Sequence, residues 1–215
     1  GHKIAIQEKI IANPNCSTIQ LVMALFPIHR SHTIKRIVIS TYQAVVGSGQ
    51  NALNQLKKEE LSEVVKNPAY EKKIHRNIIP KCDEFNKNGY TKEEQKIINE
   101  TNKILSSKIK ITATAVRVPT IGGHGESVNV EFFKKVNIID ISKALKKQKG
   151  VVFCSGEKYI TPMEAKGKDE VFVTRLRKDP SVENGINMWI VADPLRKGAA
   201  TNAVQILERL IKLNN

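Results

Sequence analysis

Several things are scarce in this chain, and each scarcity excludes a class. Three cysteines (Cys16, Cys82 and Cys154) in 215 residues are too few, and odd in number, for a disulfide framework, which points to a reducing, cytoplasmic setting. Aromatic residues make up 5%, with a single tryptophan, so no aromatic-interleaved basic ribbon exists to stack bases. The net charge of +14 and pI near 9.7 are therefore read as a solvated lysine-rich surface, with an anionic substrate or cofactor as second contributor, and not as a nucleic-acid interface. No apolar run approaches the roughly 18 residues of a membrane span, and no signal-peptide pattern opens the chain. Repeats and low-complexity segments are missing. So are an initiator methionine and a glycine-rich phosphate turn ahead of the first motif, which makes the chain look like a piece of a longer protein.

What is present is organised around Asn13-Pro14-Asn15-Cys16-Ser17-Thr18. Ile10-Ile11-Ala12 before it reads as the end of a buried strand. Ile19, Val22, Met23 and Phe26 after it recur at helical spacing. Cys16 thus stands at a helix N-terminus, where the dipole and unpaired N–H groups favour a thiolate or a developing oxyanion and predict a lowered thiol pKa. A buried, inert cysteine fits the same placement.

Lys35 to Val46 is a β-branched strand with Ile37, Ile39, Thr41, Gln43 and Val45 on one face, so Gln43 either bonds within the core or points into a site. Gln50 to Lys66 reads as an amphipathic helix through Leu53, Leu56, Leu61, Val64 and Val65, and Asn67 to Tyr90 as a surface excursion holding Cys82. Thr91-Lys92-Glu93-Glu94 is a capping box that opens a helix to about Leu105. On it Glu100 borders the apolar stripe, and Lys103 could pair with it across the surface. Ile111 to Pro119 and Ser127 to Phe133 are strands, with His124 in the Gly-flanked turn between them and Arg117 on a face of small residues with Ala113 and Ala115. A short helix at 138–147 follows, then strands at 150–155 (with Cys154 buried), 170–177 and 185–193, and a closing helix from about Leu195 to Leu213, apolar at Val204, Leu207 and Ile211. Helices and strands do not alternate as in a doubly wound sheet. The expectation is an α+β fold: a mixed, largely antiparallel sheet with helices on one face.

Cysteine at a helix mouth, histidine beside glycines, arginine on a strand and a polar Gln43 are the ingredients for thiolate attack on a carbonyl, with imidazole moving protons and guanidinium orienting an acid. From the residues alone this is a cysteine-dependent acyl- or aldehyde-transferring enzyme.

Five strings add to that reading. Asn13 to Thr18, Thr41-Tyr42-Gln43-Ala44-Val45, Arg117-Val118-Pro119, Gly123-His124-Gly125-Glu126-Ser127-Val128-Asn129-Val130 and Leu195-Arg196-Lys197-Gly198-Ala199-Ala200 resemble, in order, the motifs of the aspartate-semialdehyde dehydrogenase family. The resemblance implies a fold like the C-terminal domain of glyceraldehyde-3-phosphate dehydrogenase-like enzymes. Residues 1–15 would be the remnant of a nucleotide-binding domain, and 16–215 the catalytic and dimerisation domain. It implies a homodimer that reduces aspartyl phosphate to aspartate semialdehyde, with release of phosphate, on the way to lysine, methionine and threonine. The cofactor would be NADP, held mostly by a domain this chain lacks, and no metal is expected. Cys16 would be the nucleophile, His124 the acid/base, and Gln43 a holder of the acyl intermediate. Arg117 would bind the substrate carboxylate, Glu100 its amino group and Lys103 the phosphate, with Asn15 beside the substrate. Ser17 and Pro194 would border the cofactor; Pro194 departs from the polar residue the family often has there. Alternatives are an N-acetylglutamyl-phosphate reductase-like enzyme, against which Asn15 and Ser17-Thr18 argue, and an isolated dimerisation module without activity.

Overall fold

The computed structural model describes residues 10–214. Six strands form one mixed sheet in the order β2-β1-β3-β6-β5-β4: β1 (Ile34–Ala44), β2 (Lys110–Val118), β3 (His124–Phe132), β4 (Val151–Phe153), β5 (Val171–Asp179) and β6 (Gly185–Ala192). The β1/β2 and β4/β5 pairs are parallel, and the other three antiparallel. One face carries Ile37 and Ile39, Ala113, Val128, Val130 and Phe132, and Ile186, Met188 and Ile190, all buried. Over it lie α1 (Cys16–Ser31), α3 (Lys92–Leu105) and α4 (Ile138–Lys147). Helix α1 is apolar almost all round and is the centre of the core, with Leu21, Ala24, Leu25 and Ile28 fully enclosed.

The opposite face is largely open. Tyr42 and Trp189 meet there with ring centroids 5.6 Å apart, beside a hollow lined by Tyr159, Arg175 and Arg177. The short α5 (Pro162–Ala165) covers one corner of this face with a small cluster of Ala165, Phe172 and Val191, so the helices are not confined to one side. No helix among the described residues is long and apolar enough to cross a membrane.

Four local expectations need correction. Ile10 to Ala12 is not a buried strand: no neighbour pairs with it among the described residues, and Ile10 is 88% exposed. The remainder of the segment assigned to a remnant domain, residues 1–9, lies outside the described residues. Helix α2 (Gln50–Glu60) stops before Leu61 and Val64, which are exposed. Glu59 there accepts the backbone N–H groups of Ile74 and His75 and so pins the excursion that follows. Cys154 lies just past β4 and is only half-buried. The chain closes with a π-turn (Arg196–Ala200) and then α6 (Thr201–Asn214), whose Val204, Leu207 and Ile211 are each more than half exposed. The stripe expected to pack has no cover here.

Candidate active site

The site gathers at one end of the sheet, where β1 and β2 finish and the antiparallel β3 begins. Along β1 the buried face changes from Ile37 and Ile39 to Thr41 and Gln43; along β2, from Ala113 and Ala115 to Arg117; β3 opens with His124 and Glu126. His124 is the first residue of β3 and not part of the preceding turn. The strand aims its ring onto the helix-covered face.

Cys16 is the first residue of α1. Asn15 is its N-cap, and the Asn15 side-chain oxygen accepts the N–H groups of Ser17 (3.0 Å) and Thr18 (3.2 Å). The cap thus engages both donors, although the Ser17 N–H still lies near enough to the thiol to favour its thiolate. The expected low thiol pKa is nonetheless reversed. Although Cys16 keeps some accessible surface, dehydration of the thiol and the nearby Glu93 carboxylate push it up to about 12, against smaller opposing effects of the Ser17 N–H and Arg117. The gain from the helix end is outweighed by burial.

Glu93 was not singled out beyond its place in the capping box. Its Oε1 accepts from Asn15 Nδ2 (2.8 Å) and from Gln43 Nε2 (3.1 Å), locking α3 to α1 and β1 behind the thiol. Gln43 Nε2 also donates to Ser17 Oγ at 3.0 Å. The signal was present in the spacing: Glu93 and Glu100 lie two turns apart on the face of α3 that carries Ile97. Glu100 Oε2 accepts the Asn15 N–H at 2.8 Å, so it serves the turn before Cys16. Lys103 lies farther along the same helix and is exposed.

His124 is fully enclosed. Its Nδ1 accepts the Ala44 N–H at 3.0 Å, which leaves Nε2 to carry the hydrogen of the neutral ring, and Nε2 has no partner among the described residues. Burial, helped by the Arg117 charge, pulls its pKa down to about 3. The ring stands against Gly47: a Cβ there would lie 2.7 Å from Nε2. Arg117 donates from Nη1 to the Ala44 carbonyl at 3.0 Å and lies over Tyr70, while its buried Nε is unpartnered among the described residues. Its backbone pairs with Ile79 of the excursion, which brings Cys82 into the electrostatic neighbourhood of Arg117, Glu93 and Glu94. Burial raises Cys82 to about 11.

Glu126 also went unremarked, although a carboxylate one alternation from His124 on an apolar strand face is a legible signal. It is completely buried, and neither oxygen has a hydrogen-bond partner among the described residues. Burial lifts its pKa well above the usual range, opposed only by Gln20. Gln20 itself donates to the His124 carbonyl at 3.2 Å. Of the two positions expected to border a cofactor, Ser17 is fully buried with its hydroxyl engaged by Gln43, and Pro194 is buried in the turn after β6.

The buried end of the sheet thus assembles a thiol, an imidazole nitrogen without a partner among the described residues and a guanidinium, the residue types that thiol-based acyl transfer requires.

Residues 25–197 match the family model for the semialdehyde dehydrogenase, dimerisation domain. The chain belongs to that family. It is 48% identical to the aspartate-semialdehyde dehydrogenase of Aquifex aeolicus, with 96% of this chain and 63% of the relative covered. It is 47% identical to that of Rickettsia typhi, with 95% and 62% covered. The crystal structure of aspartate semialdehyde dehydrogenase II from Vibrio cholerae superposes with a TM-score of 0.90 at 43% identity, over 94% of this chain and 62% of that one. A structure of the Vibrio cholerae enzyme complexed with ASA matches equally well, at a TM-score of 0.90. The chain thus spans about 62–63% of the length of these relatives.

Proposed function

We propose that this chain supplies the acyl-transfer half of an aspartate-semialdehyde dehydrogenase. The observation that carries the reading is the convergence of Cys16, Gln43, Arg117 and His124 at one end of a single sheet, where Asn15 and Glu93 tie the Cys16 turn to Gln43 and the Ala44 backbone holds both His124 and Arg117. Cys16 attacks the acyl carbon of aspartyl phosphate, the carbon–oxygen bond to phosphate breaks, and the thiol proton leaves with the phosphate as the thioester forms. The His124 Nε2–H is the free donor for the oxygen that becomes negative during attack. Because His124 stays neutral far below pH 7, it meets that oxygen as a donor with no charge to discharge first. Gln43 holds the Cys16 turn through Ser17, Arg117 orients the substrate carboxylate, Glu100 its amino group and exposed Lys103 its phosphate, with Asn15 bracing the turn.

The reductive half is assigned to NADP. The described residues do not by themselves make a dinucleotide site: the glycine turn Gly47-Ser48-Gly49 between β1 and α2 has the His124 ring packed against Gly47, and the positions expected to border the cofactor, Ser17 and Pro194, are buried. Residues 1–15 are assigned to the end of a nucleotide-binding domain, and 16–215 to catalysis and dimerisation. Two copies would pair through the open sheet face around Tyr42 and Trp189.

Intact-mass measurement after mixing the chain with aspartyl phosphate tests the reading. The expected result is a single aspartyl adduct that maps to Cys16 and is lost in Cys16→Ser. An absent adduct on folded protein whose Cys16 still alkylates would refute it.

A further inference from the structure

Gly198 stands at the middle of the π-turn, and that turn packs against α1. A Cβ added to Gly198 would lie 2.9 Å from Cβ of Cys16 and 3.4 Å from both Cys16 Cα and the Asp193 carbonyl oxygen. These neighbours are backbone or backbone-bound atoms that cannot swing aside as the end of a long side chain does. A π-turn is rare and costly in hydrogen-bond geometry, and such turns cluster at functional sites. This one is anchored twice over. Asp193 accepts the N–H groups of Leu195 (2.8 Å), Arg196 (3.1 Å) and Gly167 (2.7 Å) through its carboxylate, and that of Gly198 (2.9 Å) through its carbonyl.

Lys197 provides the second anchor. It is 3% exposed, and its Nζ donates to Asn202 Oδ1 (3.0 Å) and Gln205 Oε1 (2.7 Å) at the start of α6. Both acceptors are neutral, and burial pulls the ammonium below its usual pKa, so this is a costly place for a lysine whose positive charge the acyl-transfer step does not use. Asn13, three residues before Cys16, joins the same structure by accepting from Asn202 Nδ2 at 2.7 Å.

We propose that the Gly198 backbone, packed on Cα and Cβ of Cys16, limits the space beside the nucleophile, and that Lys197 is the positioning residue that clamps this wall to α6. The pocket width at the nucleophile is then set from the C-terminal end of the chain, 182 positions away in sequence from Cys16. Its catalytic meaning rests on Cys16 being the nucleophile, but its geometry does not.

The test is site-resolved alkylation of the full chain, with peptide masses reporting Cys16, Cys82 and Cys154 separately. Gly198→Ala narrows the pocket: iodoacetamide should modify Cys16 at least tenfold more slowly, with Cys154 unchanged and Cys82 still protected. Lys197→Met removes the clamp at similar volume. The rate of bulky N-ethylmaleimide relative to iodoacetamide at Cys16 should then rise severalfold, a size selectivity that mere loss of stability does not produce. A Cys16 rate within twofold of the parent in Gly198→Ala, or an unchanged reagent ratio in Lys197→Met, would overturn the proposal. If Gly198→Ala exposes Cys82 and so fails to fold, Lys197→Met decides alone. Failure of the acyl-transfer reading shows elsewhere, as a missing aspartyl adduct with the alkylation pattern intact.

Discussion

The two ends of the sheet are built from the same strands by opposite rules. At one end, Ile37, Val130, Phe132 and Ile186 pack against α1 and α4 with no polar side chain among them. At the other, the same buried face carries Gln43, Arg117, His124 and Glu126, and several of their polar atoms have no partner among the described residues. Unsatisfied buried polar atoms cost stability, so the apolar, dry end must carry the fold while the polar end, equally buried, holds groups ready for a ligand. The comparison teaches that stability and reactivity are separated along the strands and not between layers.

The strongest way to break this separation is to damage the dry end. Phe132→Ala should cost about 3–5 kcal/mol in urea unfolding, yet leave Cys16 alkylation under native conditions unchanged. A matching change in alkylation would join the two ends. Next comes the converse: His124→Asn takes the free Nε2–H out of the site. It should slow formation of the aspartyl adduct by about 10²–10³-fold, the usual effect of losing one such donor, with the urea midpoint lowered little if at all.

A smaller effect sharpens the comparison through pH. Glu126 keeps its proton in the fold but releases it when unfolded above the usual glutamate range, so above about pH 4.5 the native state binds more protons and stability falls as pH rises. His124, with a folded pKa near 3 against an ordinary 6.5, acts oppositely: between those values the unfolded chain binds more protons, and stability falls as pH drops. Glu126→Gln should therefore remove the decline between about pH 4.5 and 8, up to about 1.4 kcal/mol per pH unit for one proton, and leave in place both the acid decline and the fall above about pH 9 that the raised thiols of Cys16 and Cys82 cause. An unchanged decline over that range in urea unfolding would mean that Glu126 is ionised or solvated. Smallest of all, Lys103→Ala on the exposed face of α3 should alter stability by no more than about 0.5 kcal/mol, while weakening adduct formation at low aspartyl phosphate.

Much of this was legible in the sequence because it depends on local rules. The alternation of β1 placed Gln43 inside, that of β2 put Arg117 on the buried face with Ala113 and Ala115, and the Thr91–Glu94 capping box formed as expected. What stayed hidden depends on which elements meet. The dipole argument for Cys16 was sound locally, but the approach of Glu93 from α3, 77 positions later, and the depth of burial reverse it. The Gly198 contact likewise arises from chain closure that no local spacing encodes, whereas the inward place of Glu126 follows from its alternation with His124. The apolar stripe of α6 is amphipathic as its spacing predicts, yet Val204, Leu207 and Ile211 stay more than half exposed.

The polar end of the sheet holds Cys16 as a neutral thiol through burial and the Glu93 carboxylate. The direct test is the pH dependence of Cys16 alkylation by iodoacetamide, in the parent chain and in Glu93→Gln, followed site by site. The account predicts a midpoint well above the ordinary cysteine value in the parent and a lower one in Glu93→Gln. A midpoint below about 8.5 that Glu93→Gln does not move would contradict it.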